Sequence, residues 1–473
     1  MSSLTITRSW WGVSPARSRL TAVAATMLVL ALAAISVVVW TSPDISPVQQ
    51  TIRAAEELQE AASEAHEREQ LLARIDALEA QVDSLTEGKA DAEQALAESD
   101  GALQATLKEL ALLQNAPAAS TETSTTSTPR TTTPTAAPVT AEPVITAPSK
   151  AELVAPAAGY YGMYTEQAPY NWATLDATSV KVGALPSMVG YFGGWDEEFR
   201  PDAVTRAWTR GMLPMLTWES RPIDAQNDTV TEPDYSLPLI IDGAFDEYLH
   251  RYAQAIVATG LPLAIRLDHE MNGIWYPWAE TDGSGASING NSPGDYVEMW
   301  QHVHDIFEQE GANELVIWVW APNRIDNLPK ANRGVEFLQA LYPGDDYVDW
   351  VGMSGYLRPP YTDTSSYTFD ATFGATLSQL RTITDKPIIL AEVGASETEG
   401  HKPEWVTSFF EALAAPENDD IIGFSWFSLA VTTYVEGERA TNDWRIDSRA
   451  DSLAAFSEGL ASLGDAIQTQ PIG

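Results

Sequence analysis

The sequence predicts an α/β protein whose C-terminal part closes into a (β/α)8 TIM barrel, and three observations predict it. After residue 150, short apolar runs alternate with helix-patterned stretches. There are eight such runs, the number that closes a parallel barrel. No Gly-rich phosphate turn follows an early run, which argues against the open doubly wound sheet that the same alternation would allow.

The runs are Tyr160–Tyr164, Met188–Trp195, Leu213–Glu219, Leu263–Asn272, Leu315–Asn323, Val348–Tyr356, Ile388–Ala395 and Ile421–Ser428. Near-continuous apolar runs are what strands buried on both faces look like. Between them, Asp246–Thr259 and Asp295–Gln309 read as helices, and Ala450–Leu463 reads as the last one. The barrel domain is placed at residues 155–466.

Other material precedes it. Residues 1–19 carry Arg8, Arg17 and Arg19, and Leu20–Trp40 follows as 21 residues without a charge. At about 1.5 Å per residue that run spans roughly 30 Å, the thickness of a bilayer core. The positive-inside rule leaves residues 1–19 in the cytoplasm. The expectation is a single-pass transmembrane anchor in the cell membrane, with the barrel extracellular. A cleaved signal peptide is the competing reading, but its apolar region is usually shorter and no small-x-small site follows the run.

Residues 47–115 are rich in Ala, Glu, Leu and Gln. Ile75, Leu78, Val82 and Leu85 follow coiled-coil spacing, and the frame continues through Ala92, Leu96, Leu103, Leu110 and Leu113. Lys89, Ser99 and Thr106 fall on the same seam and weaken it. A coiled coil is expected, which would make the chain a homo-oligomer; a single exposed spacer helix is the alternative. Residues 116–150 are Thr, Pro, Ala and Ser with almost no large apolar side chain, the composition of a disordered linker.

Composition removes several functions. Asp and Glu total 66 against 27 Lys and Arg, a formal net charge of -39. Such a chain repels phosphate backbones, so nucleic acid is not an expected partner, whereas a neutral polymer such as a polysaccharide is not repelled. There are no cysteines, hence no disulfide, thiolate metal site or cysteine nucleophile. His302 and His304 sit two apart on a predicted helix and point in different directions, so no metal is expected. There is no G-x-S-x-G elbow of a serine hydrolase and no cofactor motif.

In a parallel barrel the active site lies at the C-terminal strand ends. Arg266, His269, Glu270 and Asn272 close the fourth run, Tyr356 the sixth, and Glu392 and Trp426 lie in the seventh and eighth. Strands four and seven face each other across the mouth, so Glu270 and Glu392 can reach one bond from two sides. Glycoside cleavage needs such a pair, one carboxyl to protonate the leaving oxygen and one to meet the cationic carbon. Arg266, His269 and Tyr356 are candidates for tuning the two acids. Trp195, Trp218, Trp275, Trp278 and Trp426 are candidates for stacking on sugar faces. A non-catalytic glycan-binding or scaffolding protein on the same fold is the alternative, because fold does not fix function.

The segment from Arg266 to Trp278, reading Arg-Leu-Asp-His-Glu-Met-Asn-Gly-Ile-Trp-Tyr-Pro-Trp, resembles the acid/base motif of glycoside hydrolase family 26. Ile388–Gly394, reading Ile-Ile-Leu-Ala-Glu-Val-Gly, resembles that family's nucleophile strand. The resemblance covers about residues 159–463. It implies a retaining endo-acting hydrolase of β-mannan or mixed-linkage β-glucan, with Glu270 as general acid/base and Glu392 as nucleophile. It also implies that His269 lines the subsite of the cleaved sugar, that Tyr356 bonds the nucleophile and that Trp426 floors the subsite. Asn442–Arg445 resembles a site-shaping loop of the same family. Tyr276-Pro277 stands where the mannanases carry Phe-Trp, a departure that opens β-glucan beside mannan.

Overall fold

The computed structural model describes residues 145–225, 229–359, 361, 365–435 and 438–470. Eight parallel strands form the barrel: β1 Gly159–Tyr164, β2 Met188–Gly194, β3 Leu213–Glu219, β4 Leu263–Leu267, β5 Val316–Trp320, β6 Trp350–Leu357, β7 Ile388–Ala395 and β8 Ile421–Phe427. They pair in chain order, and β8 pairs back to β1 from Tyr160↔Gly423 to Tyr164↔Phe427, which closes the ring.

Helices cover the outside: α1 Lys150–Val154, α2 Ala173–Val182, α3 Pro201–Thr209, α4 Leu237–Ile241, α5 Asp246–Thr259, α6 Asp295–Glu310, α7 Val335–Ala340, α8 Ala375–Ile383, α9 Lys402–Leu413 and α10 Ala450–Ser462. Their faces follow from spacing. In α6, Tyr296, Met299, Trp300, Val303, Ile306 and Phe307 recur every three or four residues and are all buried. Gly311 ends it in the left-handed region at φ 76°, where a side chain would be strained.

Strand alternation then sorts side chains into two layers. Tyr164, Thr217 and Arg266 meet inside the ring: the Thr217 hydroxyl lies 3.2 Å from the Tyr164 hydroxyl and accepts from Arg266 Nε at 3.1 Å. Gly190 makes this possible, because a Cβ there would sit 2.3 Å from the Tyr164 ring. The intervening residues point into the helical layer.

The folded body begins before residue 155. Ile145 and Ala147, from the end of the stretch read as a linker, pack on the core. Ser149 and Glu152 form a capping box for α1. The carbonyls of Leu153 and Val154 accept from the Tyr160 hydroxyl at 2.9 Å and from Trp350 Nε1 at 3.0 Å. At the other end, Ile467–Gln470 pairs with β1 and with Leu185–Pro186. Among the described residues no helix is long and apolar enough to cross a membrane. The apolar run Leu20–Trp40, the coiled-coil segment 47–115 and the linker as far as residue 144 lie outside the described residues.

Candidate active site

The fourth strand stops at Leu267, earlier than the apolar run suggests, and the chain then turns sharply. Asp268 and Glu270 both adopt left-handed backbone, φ 38° and 57°, unusual for residues with side chains. Tertiary bonds hold them there. The Asp268 amide donates to Trp218 O at 2.9 Å and the Glu270 amide to Ala321 O at 2.7 Å. The Asp268 carboxyl accepts from the Ser220 amide and hydroxyl, both at 2.7 Å. Asn272 exchanges two bonds with Asn323, its side-chain amide to the carbonyl at 2.9 Å and its side-chain oxygen from the amide at 2.8 Å. Strain of this kind, held by its surroundings, is typical of functional sites.

This turn presents Glu270 at the mouth, 6% exposed. Trp275 Nε1 donates to its Oε2 at 2.8 Å. Trp275 can fold back this closely because residue 273 is glycine; a Cβ there would lie 2.6 Å from the indole. Burial raises the Glu270 pKa, and the nearby charge of Glu392 raises it further, against hydrogen bonds from Asn323 and Ser354. Glu392, on β7, is 7% exposed. Arg266 Nη2 donates to one of its oxygens and the Tyr356 hydroxyl to the other. Arg266, wholly buried, is fixed in turn by Thr217 and, through Nη1 at 3.3 Å, by Ser354. The two glutamates are thus differently dressed: one is buried with a raised pKa, and the other takes a guanidinium and a phenol on its two oxygens.

A third carboxyl lies close by. Glu219 ends β3, 4% exposed, and is paired with Arg221 at 2.8 Å. Its other oxygen is 3.8 Å from His269 Nδ1. Burial, with Arg266 and Arg221, pushes His269 well below its usual range, so the imidazole is neutral at neutral pH. Its Nε2 lies 3.2 Å from the hydroxyl of Tyr276. Tyr276 is half-buried, stacked on Trp278 at 4.4 Å with Arg221 over its ring at 4.9 Å.

The structure sorts the aromatic candidates. Trp275 and Tyr356 stand half-buried at the mouth. Trp278 is fully buried behind Tyr276, with Nε1 donating to His269 O at 2.7 Å, so Tyr276 is the ring that faces outward there. Three other assignments need correction. Trp218 turns into the helical layer, stacked on Tyr252 at 4.3 Å and against Phe307 at 5.8 Å. Trp195 packs on Trp218, Phe245 and Tyr248. Trp426 lies among Trp405, Phe409 and Phe456, with no exposed surface. The reason is the two-residue period of a strand. In β3, Thr217 and Glu219 take the inner face, so Trp218 cannot; in β8, Phe427 takes the place given to Trp426. Phe427 meets Tyr164 at 5.8 Å and Tyr356 at 6.0 Å.

Beyond the strands, Ala430–Val435 and Glu438–Asp443 form a hairpin. Trp444 follows it, packs on Tyr356 at 4.8 Å, and its carbonyl accepts from Trp426 Nε1 at 2.8 Å. The Asn442–Arg445 loop therefore braces the phenol that holds Glu392. Among the described residues no three His, Cys, Asp or Glu side chains gather as a metal site. His302 bonds Asp246 at 2.6 Å, and His304 lies 3.2 Å from the Asn313 side-chain amide.

Fold and site together define a parallel barrel with a buried carboxylate pair, one on the turn after strand four and one on strand seven. Residues 231–414 match the model of the family described as glycosyl hydrolase family 26, which supports a catalytic domain of that family in the barrel. The chain is 33% identical over 290 residues to "Endoglucanase H" of Acetivibrio thermocellus, covering 59% of this chain and 28% of that protein. It is 29% identical over 270 residues to "Mannan endo-1,4-beta-mannosidase" of Bacillus subtilis strain 168, covering 51% of this chain and 67% of that protein. The chain thus spans less than a third of the length of Endoglucanase H. Among solved structures, the catalytic domain of a family 26 endo-β-1,4-mannanase from Bacillus sp. JAMB-750 aligns over 66% of this chain and 88% of that one, with 16% identity and a TM-score of 0.49.

Proposed function

We propose that the barrel is a retaining, endo-acting glycoside hydrolase that cleaves a β-linked polysaccharide of the mannan or mixed-linkage glucan class. The observation that carries the reading is the unequal setting of the two glutamates. Glu270, its pKa raised by burial and by the charge of Glu392, suits a proton donor. Glu392, oriented by Arg266 and Tyr356, suits a nucleophile.

In the first step a Glu392 oxygen bonds to the anomeric carbon as the glycosidic C–O bond breaks, and Glu270 gives its proton to the departing oxygen. In the second, water attacks that carbon, Glu270 takes the water's proton, and the ester to Glu392 is released. The relatives' names supply mannan and glucan as polymer classes. Tyr276, whose hydroxyl is bonded to His269 beside the pair, is the residue on which the choice between them is placed. We also propose, from the Leu20–Trp40 run alone, that the barrel is held outside the cell membrane.

The test is release of reducing ends from mannan, galactomannan, mixed-linkage β-glucan and xylan by wild type, Glu270→Gln and Glu392→Gln. Turnover is expected to fall by about three orders of magnitude or more in Glu392→Gln. In Glu392→Ala, which leaves room at the anomeric carbon, azide should restore cleavage and yield a glycosyl azide, detected by mass spectrometry. Wild-type turnover in a folded Glu392→Gln variant sinks the assignment.

A further inference from the structure

A cavity of about 620 Å³ lies beside the carboxylate pair and contains neither glutamate. Arg324, Leu357, Arg358, Tyr361, Tyr367 and Asn442 are among the residues that line it. Its walls continue directly from the site. Arg324 follows Asn323, whose side chain bonds Glu270; Leu357 and Arg358 follow Tyr356, which donates to Glu392. Its size is that of a pocket for a small ligand, roughly 300–1,000 Å³.

One wall is built as a platform. The Tyr367 ring lies parallel to His401, with centroids 3.5 Å apart and planes 7° apart. Tyr361 stands edge-on to both rings, at 5.4 and 5.5 Å. One face of Tyr367 is therefore covered and its orientation fixed, while the residue still borders the cavity. The Tyr361 hydroxyl is buried without a hydrogen-bond partner. Arg324 is already engaged, donating through Nε to Asp326 at 2.7 Å and through Nη1 to Tyr356 O at 2.5 Å, and it stiffens the wall. Arg358 has an exposed side chain on the same lining.

We propose that this cavity is a distal subsite that binds a neutral pyranosyl unit of the substrate chain, away from the bond being cleaved. The proposal rests on the glycosidase reading above. A fixed flat ring offers contact to the apolar face of a sugar. A guanidinium edge donates to neighbouring hydroxyls. Asp326 neutralises Arg324, and the chain's net charge of -39 opposes the approach of a polyanion.

The experiment compares the full-length wild type with Tyr367→Ala, Tyr367→Trp and Arg358→Ala on short and long β-1,4-manno-oligosaccharides and mixed-linkage gluco-oligosaccharides. In Tyr367→Ala, kcat/KM on long chains is expected to fall about tenfold, carried by KM, and to fall far less on the shortest chain cleaved. Tyr367→Trp, which keeps a stacking ring, is expected to restore the preference for length. Arg358→Ala alters an exposed side chain and should show the same length-dependent loss even if Tyr367→Ala does not fold. Equal loss at every length, or none, overturns the subsite and leaves the glycosidase reading standing. Failure of wild type to cleave any of these chains overturns both.

Discussion

Burial turns Asp268 into a weak acid. Its pKa is raised to about 7 despite the two bonds from Ser220, which act to lower it. The unfolded carboxyl titrates near 3.9, so the folded state favours the proton between these values. The stability that this group adds is complete below about pH 4 and is lost as pH rises towards 7. Asp268→Asn keeps an oxygen for the Ser220 amide but no longer titrates. The variant should therefore gain on wild type by up to about 4 kcal/mol between pH 4 and pH 7, measured by denaturant unfolding at each pH. A pH-independent difference would show that Asp268 does not titrate in this window. At the same scale, the Glu270 proton is retained to higher pH than in an ordinary glutamate, because of burial and the charge on Glu392.

The element that most constrains the site is β2, although it contributes none of the acids. Gly190 leaves room for Tyr164, whose hydroxyl meets Thr217, which in turn holds the guanidinium bonded to Glu392. A methyl group at 190 would collide with an aromatic ring that is closed in on all sides. Gly190→Ala is expected to cost about 1–3 kcal/mol of stability and to lower turnover, because the displacement passes along this chain of contacts to Glu392. Denaturation and kinetics on the one variant check both parts. Unchanged turnover with reduced stability would uncouple the layer from the site. The strands themselves were legible: β3 and β7 have the bounds of their apolar runs, since Leu and Met in the one and Ile, Leu and Val in the other leave little else to form, with Glu219 and Glu392 as their single charges. The run of β4 was read five residues too long, because nothing local marks the left-handed turn at Asp268 and Glu270.

At the scale of the whole barrel, α1 closes the end opposite the site. It starts at the last residue of the stretch with the composition of a linker, buries Leu153 and accepts from Tyr160 and Trp350. Lys150 adds an ion pair to Asp349 at 2.9 Å. Deleting residues 145–154 from the full chain should lower stability by about 2–4 kcal/mol, since it bares apolar surface and leaves two donors unpaired. The catalytic mouth lies at the other end, so turnover below the new Tm should persist. A thermal scan with parallel assays checks this, and an unchanged Tm would make α1 a bystander.

Sequence alone determined the eight-strand alternation, the helices between the strands and the assignment of the two glutamates to the fourth and seventh apolar runs. Periodicity and glycine placement are local properties, and they survive without knowledge of any partner. Tertiary structure decided which way each side chain turns. A strand buried on both faces shows apolar residues on each, so alternation separates Trp218 from Thr217 and Trp426 from Phe427 without saying which pair member faces the lumen. Only closure of the ring does that, by seating Arg266 between Thr217, Ser354 and Glu392 and leaving the large indoles to the wider space under the helices. The same closure brought in Asn323 and Phe427, from separate strands and loops that no spacing in the chain connects to the glutamates, whereas Glu219 ends the third apolar run and Tyr276 lies in the Arg266–Trp278 segment.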